Sequence, residues 1–563
     1  MILTMGPEGL RKIWEYKKIE KQKLIKAKEW WKRVAFRKKI TALLTVAGMT
    51  AAAFVSGFFG PVVSKQEEES VAVPEKETLY FWYTDDTLTD YLNSAAVAYG
   101  ESSHVRVIPV LTSGLEYLEQ INQASLQSEA VPDLYVISHD ALEKACLAGL
   151  TSGIEEEDWD RIKEGYPDAA RLAVSYHGDI MAYPFYFETS ALLYNRTYLE
   201  EFVKRKIESE ADAAAGEAAM ALVEQLEAEG RLDEGMPDLQ EETGTEEILA
   251  EVGEEQIREQ VKEILPDTIE DILAFANEYD APSQVEAVFR WDVTDIFYNY
   301  FFVGNYLTTG GEAGDSTGNM NLYNKEAIRC LEVYQDLNQF FSMDTGEISY
   351  EKVLQDFIDG KIVYTVATTD AVARLEEAKK DGSFAYEYSV APVPDIDEVL
   401  QTRSLSVTNC VAVNGYTEHR ELAEDFAEFL TGEYTENLYA RTGKVAARYG
   451  VDYQDPNLQE FVNEYDVSIP MAKMIETSNL WIELEVVFSR IWNGLDVNTG
   501  LKELSEKIMT QVTGAPYSET QIIIEEEAVE ENEEATEYLD EEDLRRQARE
   551  EGSTQAEESS ARE

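Results

Sequence analysis

The sequence predicts an α/β fold in which the strands of an open sheet end at a ligand-binding edge. Three apolar runs support this prediction: residues 79–86 (LYFWYTDD), 132–140 (PDLYVISHD) and 178–195 (GDIMAYPFYFETSALLYN). Each run ends at or encloses acidic or polar residues. In an open α/β sheet the ligand crevice lies beyond the carboxyl ends of the strands. The repetition therefore indicates a binding cleft.

The apolar part of the third run encloses one carboxylate. Its pattern predicts a turn at 178–179, a short strand at 180–183, a break at Pro184 and a second apolar run at 191–194. Glu188 stands among Phe, Tyr, Ala and Leu residues. Burying an unpaired carboxylate costs several kcal/mol. Glu188 is therefore expected to be solvated, paired, or available to a ligand in a cleft.

The second and third runs resemble motifs of a known family, the extracellular solute-binding proteins of ABC importers, in the group of the maltose-binding proteins. PDLYVISHD is similar to that family's strand-and-loop segment, and MAYPFYFETSALLYN is similar to its Tyr-Pro…Glu…Tyr-Asn crossover. The resemblance extends from about residue 79 to about residue 512, apart from one insertion. It implies a two-lobed periplasmic-binding-protein fold (type II) that closes around a solute and docks on a permease.

Charge is distributed unevenly along the 563 residues, whose formal net charge is −63. Residues 1–39 hold 13 Lys and Arg against 4 Asp and Glu, which leaves 35 basic and 107 acidic residues for the remainder. Like charges repel nucleic acid and anionic lipid before contact. Both are therefore poor partners for the main body.

An uncharged segment follows the basic arm. Residues 40–63 carry no charge over 24 positions, enough to cross a bilayer as a helix. The flanking charges place the N-terminus in the cytoplasm and the main body outside. We expect a single-pass signal anchor at the cell membrane, with a cleaved signal peptide as the rival reading. The basic arm 1–39, with Trp14, Trp30 and Trp31, suits a helix on an anionic inner leaflet; an extended start before Met5 is the alternative.

The first loop after the tether contains two adjacent carboxylates. Residues 78–83 are predicted to form a strand, and Asp85, Asp86 and Thr87 a turn into a helix. Capping of the helix explains such acids, and the resemblance implies that the same loop supplies a ligand contact. Both readings stay open.

His139 and Asp140 end the second strand. They could be half of a catalytic constellation, but the sequence holds no GxSxG, HExxH or P-loop motif. A ligand-facing loop is the favoured interpretation, with Asp140 as a contact. The widely separated Cys146, Cys330 and Cys410 predict no structural disulfide and no metal site.

An acidic insertion interrupts the resemblance at residues 205–262. Positions 207–260 hold 18 acidic and 2 basic residues with helical spacing, and such charge density limits burial. We expect a solvated arm, with a partner-binding element as the alternative. The compact part is predicted to resume at Pro266-Asp267-Thr268 with a new helix.

Three further ligand candidates lie in the second half. The aromatic stretch 288–305 reads as core, but the resemblance implies that Trp291 reaches the cleft. A helix at 348–359, Gly360 and a strand at 361–368 lead into a loop carrying Asp370. The resemblance also implies that Trp481 offers its ring to the ligand, with a core position as the alternative.

The predicted organisation comprises a basic cytoplasmic arm, a membrane segment, a tether, two lobes each built from two stretches, and a tail. Crossings between lobes are expected near 184–190, 388–394 and 440–445. The tail beyond 517 carries 18 acidic residues and 4 Arg and reads as disordered. The domain boundaries are 1–39, 40–63, 64–76, 77–186, 187–390, 391–440, 441–516 and 517–563.

The sequence favours a membrane-tethered, non-enzymatic solute-binding protein without cofactor or metal. Carboxylates beside an aromatic face suit a carbohydrate or polyol, and the same acids would suit a cationic solute. A surface glycoside hydrolase and a non-transport interaction protein are the other classes considered. The candidate ligand contacts are Asp85, Asp86, Asp140, Glu188, Trp291, Asp370 and Trp481.

Overall fold

The computed structural model describes residues 77–127, 131–228, 253–341 and 343–524. The strands in these ranges are β1 (Thr78–Tyr83), β2 (Arg106–Leu111), β3 (Leu134–Ser138), β4 (Ser175–Tyr176), β5 (Asp179–Ile180), β6 (Tyr183–Asn195), β7 (Ala287–Phe289), β8 (Thr308–Thr309), β9 (Met320–Asn321), β10 (Ile362–Thr368), β11 (Tyr388–Ala391), β12 (Leu405–Val413), β13 (Val445–Ala446) and β14 (Ile469–Pro470). The α/β class predicted from the sequence is confirmed.

The helices of the described ranges alternate with these strands. They are α1 (Thr89–Ser102), α2 (Tyr117–Gln127), α3 (Leu142–Leu147), α4 (Glu156–Ile162), α5 (Asp168–Val174), α6 (Arg196–Ala228), α7 (Glu254–Glu263), α8 (Ile269–Glu278), α9 (Lys325–Phe341), α10 (Tyr350–Ile358), α11 (Asp370–Asp381), α12 (Arg420–Thr431), α13 (Leu438–Thr442), α14 (Pro456–Val467), α15 (Leu480–Trp492) and α16 (Val497–Thr513). The main sheet has the order β2-β1-β3-β12-β6-β10-β7.

The first lobe is built on β1, β2 and β3 with helices α1 and α12. β1 runs parallel to both β2 and β3. Its alternate side chains Leu79, Phe81 and Tyr83 are buried, and they pack with Tyr91 of α1 and Phe426 of α12. This alternation of apolar side chains is what the period of a half-buried strand requires. The strand predicted at 78–83 is confirmed.

The second lobe is built on β7, β10 and β11 with helices α8 to α11, α15 and α16. Its core is aromatic, with Trp291 edge-on to Trp492 at 5.7 Å between ring centroids. Helix α8 begins at Thr268, whose side chain and that of Asp271 form a reciprocal capping box. The helix start predicted at residues 266–268 is confirmed.

β6 belongs to both lobes. Its first half pairs antiparallel with β12, and its second half pairs antiparallel with β10 and β11. One continuous strand therefore carries the chain from the first lobe into the second, and it brings the ends of β1, β3 and β10 towards a common region.

The predicted break at Pro184 is wrong. β6 is continuous from Tyr183 to Asn195. Pro184 pairs with Cys410 and Tyr186 pairs with Asn409, so the register shifts between them. Proline has no N–H to donate to the ladder, and a bulge is a place where a sheet tolerates it. Pro184 is therefore accommodated next to the bulge, and the strand continues through it.

The turn between α10 and β10 depends on glycine. Gly360 has a φ of 73°, in the left-handed region. A β-carbon there would lie 2.4 Å from ring atoms of Tyr386. The helix predicted at 348–359 and the strand predicted at 361–368 are confirmed as α10 and β10.

The chain returns to the first lobe after residue 403, which is later than the predicted 388–394. The Asp395 amide donates to the Asp267 carbonyl at 2.8 Å, and the Arg403 amide donates to the Phe301 carbonyl at 3.1 Å. Residues 395–403 therefore stay with the second lobe. The return follows at β12, whose first residues pair with β6 and β14.

The last passage also differs from its predicted place at 440–445. β13 pairs with β6 at Phe187 and Tyr186. The chain passes to the second lobe later, through residues 469–475, which we name the crossing segment. There β14 pairs with β12, and the Lys473 amide donates to the carbonyl of Gly314 at 2.8 Å.

The acidic insertion returns to the body before its predicted end at residue 262. Helix α7 packs beside α6. Its Ile257 and Val261 are buried in the second-lobe core, because the helix places apolar side chains at i and i+4 on one face. The described end of the insertion therefore departs from the solvated arm that the charge pattern predicts. Residues 229–252 lie outside the described ranges.

The acidic tail begins later than its predicted start at residue 517. The Ile522 amide donates to the Tyr323 hydroxyl at 2.9 Å, and the Asn498 side chain donates to the Ile522 carbonyl at 2.9 Å. Ile522 and Ile524 pack against the second-lobe core. The chain is thus anchored through residue 524, and the tail predicted beyond it lies outside the described residues.

Several predictions for the first 76 residues lie outside the described ranges, namely the basic arm 1–39, the membrane segment 40–63 and the tether 64–76. Among the helices from residue 77 onwards that the structure describes, none has the length and apolar character needed to cross a bilayer. All three cysteines are free thiols; Cys330 and Cys410 are buried and Cys146 is half-buried.

Candidate ligand-binding site

A pocket opens at the carboxyl ends of β1 and β3. These strands are parallel neighbours, with Phe81 paired to Leu134, so both end at the same edge of the sheet. The pocket has a volume of about 390 Å3. Its polar lining comes from residues in or next to β1, β3, β6 and β12 and helices α2 and α3. These residues are Thr84, Asp85, Glu116, Tyr117, Glu119, Ser138, Lys144, Tyr186 and Asn409.

Asp85 lines the pocket and makes two kinds of contact. One carboxylate oxygen accepts hydrogen bonds from the amide of Thr87 at 3.0 Å and its hydroxyl at 2.6 Å, which caps the short helix that begins at Asp86. The other oxygen lies 3.2 Å from the ammonium nitrogen of Lys444. Burial raises the pKa of this carboxyl, but the Thr87 hydrogen bonds and the Lys444 charge outweigh it and hold the pKa below its usual value. Asp85 therefore caps the short helix with one oxygen and pairs with Lys444 through the other.

Glu188 is paired with the same lysine. Its carboxylate lies 3.5 Å from the Lys444 ammonium nitrogen, and the side chain is 45% exposed, so it also meets solvent. Lys444 lies 5.4 Å from the ring centroid of Tyr186. Burial lowers the pKa of Lys444, and the charges of Glu188 and Asp85 more than reverse this, so the pKa lies above its usual value.

Sequence reasoning missed Lys444. It follows Gly443, whose φ of 72° ends helix α13 in a left-handed cap. The Lys444 amide donates to the hydroxyl of Thr442 at 3.0 Å, which fixes the turn. The Arg-Thr-Gly-Lys turn was recognisable in the sequence, but the partners of its lysine were not.

Asp140 and His139 differ sharply in environment. Asp140 is half-buried beside the pocket and accepts a hydrogen bond from the hydroxyl of Ser138. His139 is fully buried: its Nδ1 accepts from the Thr408 amide at 3.0 Å, so its Nε2–H donates to the Met471 carbonyl at 3.0 Å. Burial lowers the pKa of His139 to about 4, with the charge of Lys473 acting in the same direction. His139 therefore fastens the crossing segment and does not face a ligand.

Asp370 reaches the same region from the second lobe. It follows β10, whose last residue Thr368 pairs with Ser190 of β6, two positions from Glu188. Its carboxylate accepts from the Tyr350 hydroxyl at 2.8 Å. A β-carbon on Gly443 would lie 3.7 Å from Ala373 of α11, so the helix that Asp370 begins adjoins the turn that carries Lys444.

Asp370 is held by a tyrosine that stacks on a second tyrosine. The sequence did not indicate this aromatic pair. Tyr350 stacks on Tyr298 with 4.7 Å between ring centroids and 17° between ring planes. The sequence predicts a loop without a ring at this position. The ring comes from the start of helix α10, which is distant in sequence and adjacent in space.

The structure corrects the expectation for Trp291. Its side chain is fully buried, and its indole N–H donates to Asn299 at 2.8 Å. The ring stacks on Phe289 at 4.5 Å, so it is a core residue of the second lobe and has no surface to offer a ligand. Aromatic stretches are often core, because they bury large apolar areas.

The two remaining candidates stand outside the pocket. Trp481 is half-buried and packs edge-on to Tyr300 at 5.5 Å. Asp86 is exposed in the first turn of the short helix that Asp85 caps. The structure thus groups Asp85, Glu188 and Asp140 at one edge, brings Asp370 to the adjoining strand end, and leaves Asp86, Trp291 and Trp481 aside.

One polar group in the pocket wall has no partner. The hydroxyl of Tyr117 makes no hydrogen bond within the described part of the chain, although its oxygen is shielded from solvent. Buried polar groups nearly always find a partner. Among the described residues, no group of three or more His, Cys, Asp and Glu side chains is arranged to hold a metal ion.

Comparisons with known proteins identify the family. A family profile described as bacterial extracellular solute-binding protein matches residues 94–460. The extracellular solute-binding protein from Staphylococcus aureus in complex with maltose has a TM-score of 0.60 at 18% identity, over 78% of this chain and 98% of that one. The maltose-binding periplasmic protein from Listeria monocytogenes in complex with maltose has a TM-score of 0.57 at 18% identity, over 79% and 100%.

A curated relative matches over a short stretch. The maltotriose-binding protein of Pyrococcus abyssi is 33% identical over 84 residues, which span 15% of this chain and 18% of that protein. The solved structures show the fold, a mixed α/β architecture of two lobes. The profile covers more than half of the sequence from inside α1 to inside α14. The chain therefore belongs to the family of bacterial extracellular solute-binding proteins.

Proposed function

We propose that this chain captures a carbohydrate or polyol in the pocket at the ends of β1 and β3 and delivers it to the permease of an ABC importer. The polar lining of that pocket, at the strand ends where ligands bind in open α/β sheets, carries this proposal. The hydroxyl of Tyr186 in the pocket wall can both donate to and accept from a ligand hydroxyl.

The other groups of the pocket have matching chemistry. The Asp85 carboxylate accepts hydrogen bonds, and the Asn409 amide and Ser138 hydroxyl can donate and accept. A solute rich in hydroxyl groups offers both kinds of partner on one small molecule. Asp140 and Asp370 extend this set of acceptors on either side of β6.

The relatives support testing sugars first. The structures from Staphylococcus aureus and Listeria monocytogenes hold maltose, and the curated relative is a maltotriose-binding protein. These ligands belong to those proteins. At 18% identity their pockets differ in detail from this one, so the panel of candidate solutes includes monosaccharides and polyols.

Closure of the two lobes is the mechanism we propose for capture. β6 and β12 link the lobes; Glu188 lies on β6 itself, and Asp370 follows β10, which pairs with β6. A ligand that contacts both lobes favours the closed state by its differential affinity. The closed form is then the one that docks on the permease.

The proposed setting is the outer face of a bacterial cell membrane. Residues 40–63 would hold the chain there as a single-pass helix, and the basic arm would lie on the anionic inner leaflet. Deletion of residues 1–63 should release the protein from the membrane fraction. Retention of the shortened chain in that fraction would refute the anchor.

Calorimetry and thermal unfolding test the proposed ligand class. The panel contains mono- and oligosaccharides, polyols, polyamines and amino acids. A saccharide or polyol is expected to bind saturably, and at 100 times its dissociation constant it should stabilise the native state by about 2.7 kcal/mol. Tyr186→Phe should weaken that binding by about tenfold, because one hydroxyl of the pocket wall is lost.

A matched variant controls this experiment. The Tyr364 hydroxyl is unpartnered within the described residues, and its side chain is fully buried in the second-lobe core, away from the pocket. Tyr364→Phe should leave binding unchanged. Absence of binding by every saccharide and polyol, with the native fold intact, would overturn the proposed function.

A further inference from the structure

We propose that Lys444 is a built-in cation that restricts the pocket to uncharged polyhydroxy solutes and excludes organic cations. This inference rests on the proposed function, because it concerns the selectivity of the same pocket. The sequence favours a carbohydrate or polyol, but its acidic residues would also suit a cationic solute and do not separate the two. The position of one lysine separates them.

The two cleft carboxylates share a single ammonium group. Lys444 lies 3.2 Å from Asp85 and 3.5 Å from Glu188. The three residues come from different elements: the end of β1, the middle of β6 and the turn before β13. A cationic solute that approached these acids would meet the charge of Lys444 at close range, and like charges at such distances repel.

The lysine is held in place from several sides. Its backbone amide is fixed to the Thr442 hydroxyl at 3.0 Å, and its ammonium group lies 5.4 Å from the Tyr186 ring centroid. The side chain is 24% exposed. A half-enclosed lysine with two carboxylates and an aromatic face is costly to displace, because each of these interactions favours the charged form at that point.

A neutral solute meets different conditions. Pairing with Lys444 leaves other lone pairs of both carboxylates available, since each carboxylate offers about four acceptor sites. Ligand hydroxyls can therefore bind beside the lysine without displacing it. The same arrangement that rejects a cation leaves room for a polyol.

The test compares the full-length wild-type protein, Lys444→Met and Lys444→Arg for binding of spermidine and of maltose. Lys444→Met should bind spermidine at least about tenfold more tightly than the wild-type protein, which corresponds to about 1.4 kcal/mol. Lys444→Arg keeps the charge and should exclude spermidine as the wild type does. Lys444→Gln replaces Lys444→Met in this comparison if thermal unfolding shows that the latter is not folded.

The control is Lys502→Met, which makes the same change of charge. Lys502 is paired with Glu506 in α16 and is 23% exposed, close to the value for Lys444. It should leave spermidine affinity unchanged. An equal gain in both variants would show that the general acidity of the chain, and not the pocket, attracts the polyamine, and would overturn the inference.

A double variant localises the effect. Adding Glu188→Gln to Lys444→Met should remove most of the gained spermidine affinity, because one of the two released carboxylates is lost. Spermidine binding that is equal in wild type and Lys444→Met refutes the inference. The absence of saccharide and polyol binding by the wild type refutes the proposed function, and the spermidine comparison then still tests whether Lys444 excludes cations.

Discussion

Two lysines with opposite surroundings distinguish the cleft from the crossing segment. Lys444 in the cleft is paired with two carboxylates, and its pKa lies above its usual value. Lys473 in the crossing segment is 1% exposed, and its ammonium group donates to the carbonyl oxygens of Leu172 and Ala313. Burial lowers the pKa of Lys473 to about 8, against the opposing charge of Asp315.

The difference shows that a lysine can have two distinct roles. Lys444 contributes a charge to the pocket, and Lys473 holds separate elements together. Lys473 joins α5 to the loop between β8 and β9. Its neighbour Ile475 donates its amide to the buried carboxylate of Glu143, and His139 donates to Met471. Lys473 itself donates to backbone carbonyl groups, whereas the partners of Lys444 are side chains that a ligand can also contact.

Charge reversal should separate the two lysines most strongly. Lys473→Glu would place a carboxylate against two carbonyl oxygens without a donor, which is expected to cost more than about 4 kcal/mol or prevent folding. Lys444→Glu lies at the cleft surface and should cost about 1 kcal/mol through repulsion by Asp85 and Glu188. Urea unfolding of both variants measures the difference. Similar costs would contradict the distinction.

The pH dependence of stability should differ between the two lysines. The pKa of Lys473 is about 8 in the folded chain and 10.5 as its ordinary value. Between these values the unfolded chain binds more protons, so the contribution of Lys473 to stability rises with pH, by up to about 3 kcal/mol. The pKa of Lys444 is raised above 10.5, so its contribution is present below 10.5 and is lost only above it.

Unfolding free energies of Lys473→Met and Lys444→Met between pH 7.5 and pH 10 measure this contrast. The unfolding free energy of the wild type minus that of Lys473→Met should rise with pH from about 8 upwards. The difference between wild type and Lys444→Met should stay flat over the same range. Two flat profiles would show that Lys473 is less strongly desolvated than its position indicates.

A buried acid next to the crossing segment extends the test to the opposite charge. Glu464 in α14 is 5% exposed and accepts a hydrogen bond from the Ser404 hydroxyl. Burial raises its pKa from 4.5 to about 7, although the Ser404 hydrogen bond opposes this. Because the folded pKa is raised, its contribution to stability is complete below pH 4.5 and is lost as the pH rises through 7.

Glu464→Gln should therefore stabilise the protein at pH 8 and have little effect at pH 4.5. The amide keeps an acceptor for Ser404 and never ionises, so the gain at pH 8 should be about 2 kcal/mol. Thermal or urea unfolding at the two pH values gives the result. A gain of equal size at both would mean that packing, and not ionisation, is responsible.

Much of the fold followed from local patterns. Apolar runs with charged or polar ends predicted β1, β3 and β10, because strand burial is encoded in consecutive side chains. The Pro184 break was wrong because a strand's tolerance for proline depends on the bulge in its partner β12, which lies more than 200 residues away. The positions of the later crossings were missed for the same reason, since strand partners are not visible in a local pattern.

The sequence predicted the acidic residues of the site, Asp85 and Glu188, but it did not predict the lysine that pairs with them. Asp85 and Glu188 stood out as carboxylates at the ends or within apolar segments, where they need an explanation. Lys444 is separated from Glu188 by 256 residues, so no local pattern joins them. Trp291 was misplaced because an aromatic run looks the same whether its rings fill a core or line a cleft.

The smallest expected effect separates the two adjacent acids of the first loop. Asp85→Asn keeps a helix cap, because Asn caps as well as Asp. It removes the negative charge that lies 3.2 Å from the Lys444 ammonium group. It should lower the pKa of Lys444 and cost about 1 kcal/mol of stability. Asp86→Asn should leave that pKa unchanged and stability within about 0.5 kcal/mol, because Asp86 is exposed.

Nuclear magnetic resonance of the lysine ammonium groups, after 13C-dimethylation that preserves their charge, measures the pKa of Lys444 in both variants. Assignment comes from the signal that Lys444→Arg removes. If Asp85→Asn and Asp86→Asn shift the pKa of Lys444 equally, then the lysine responds to the general field of the loop. A shift confined to Asp85→Asn establishes the direct pair, and with it the reason that one acid of the loop shapes the pocket while its neighbour does not.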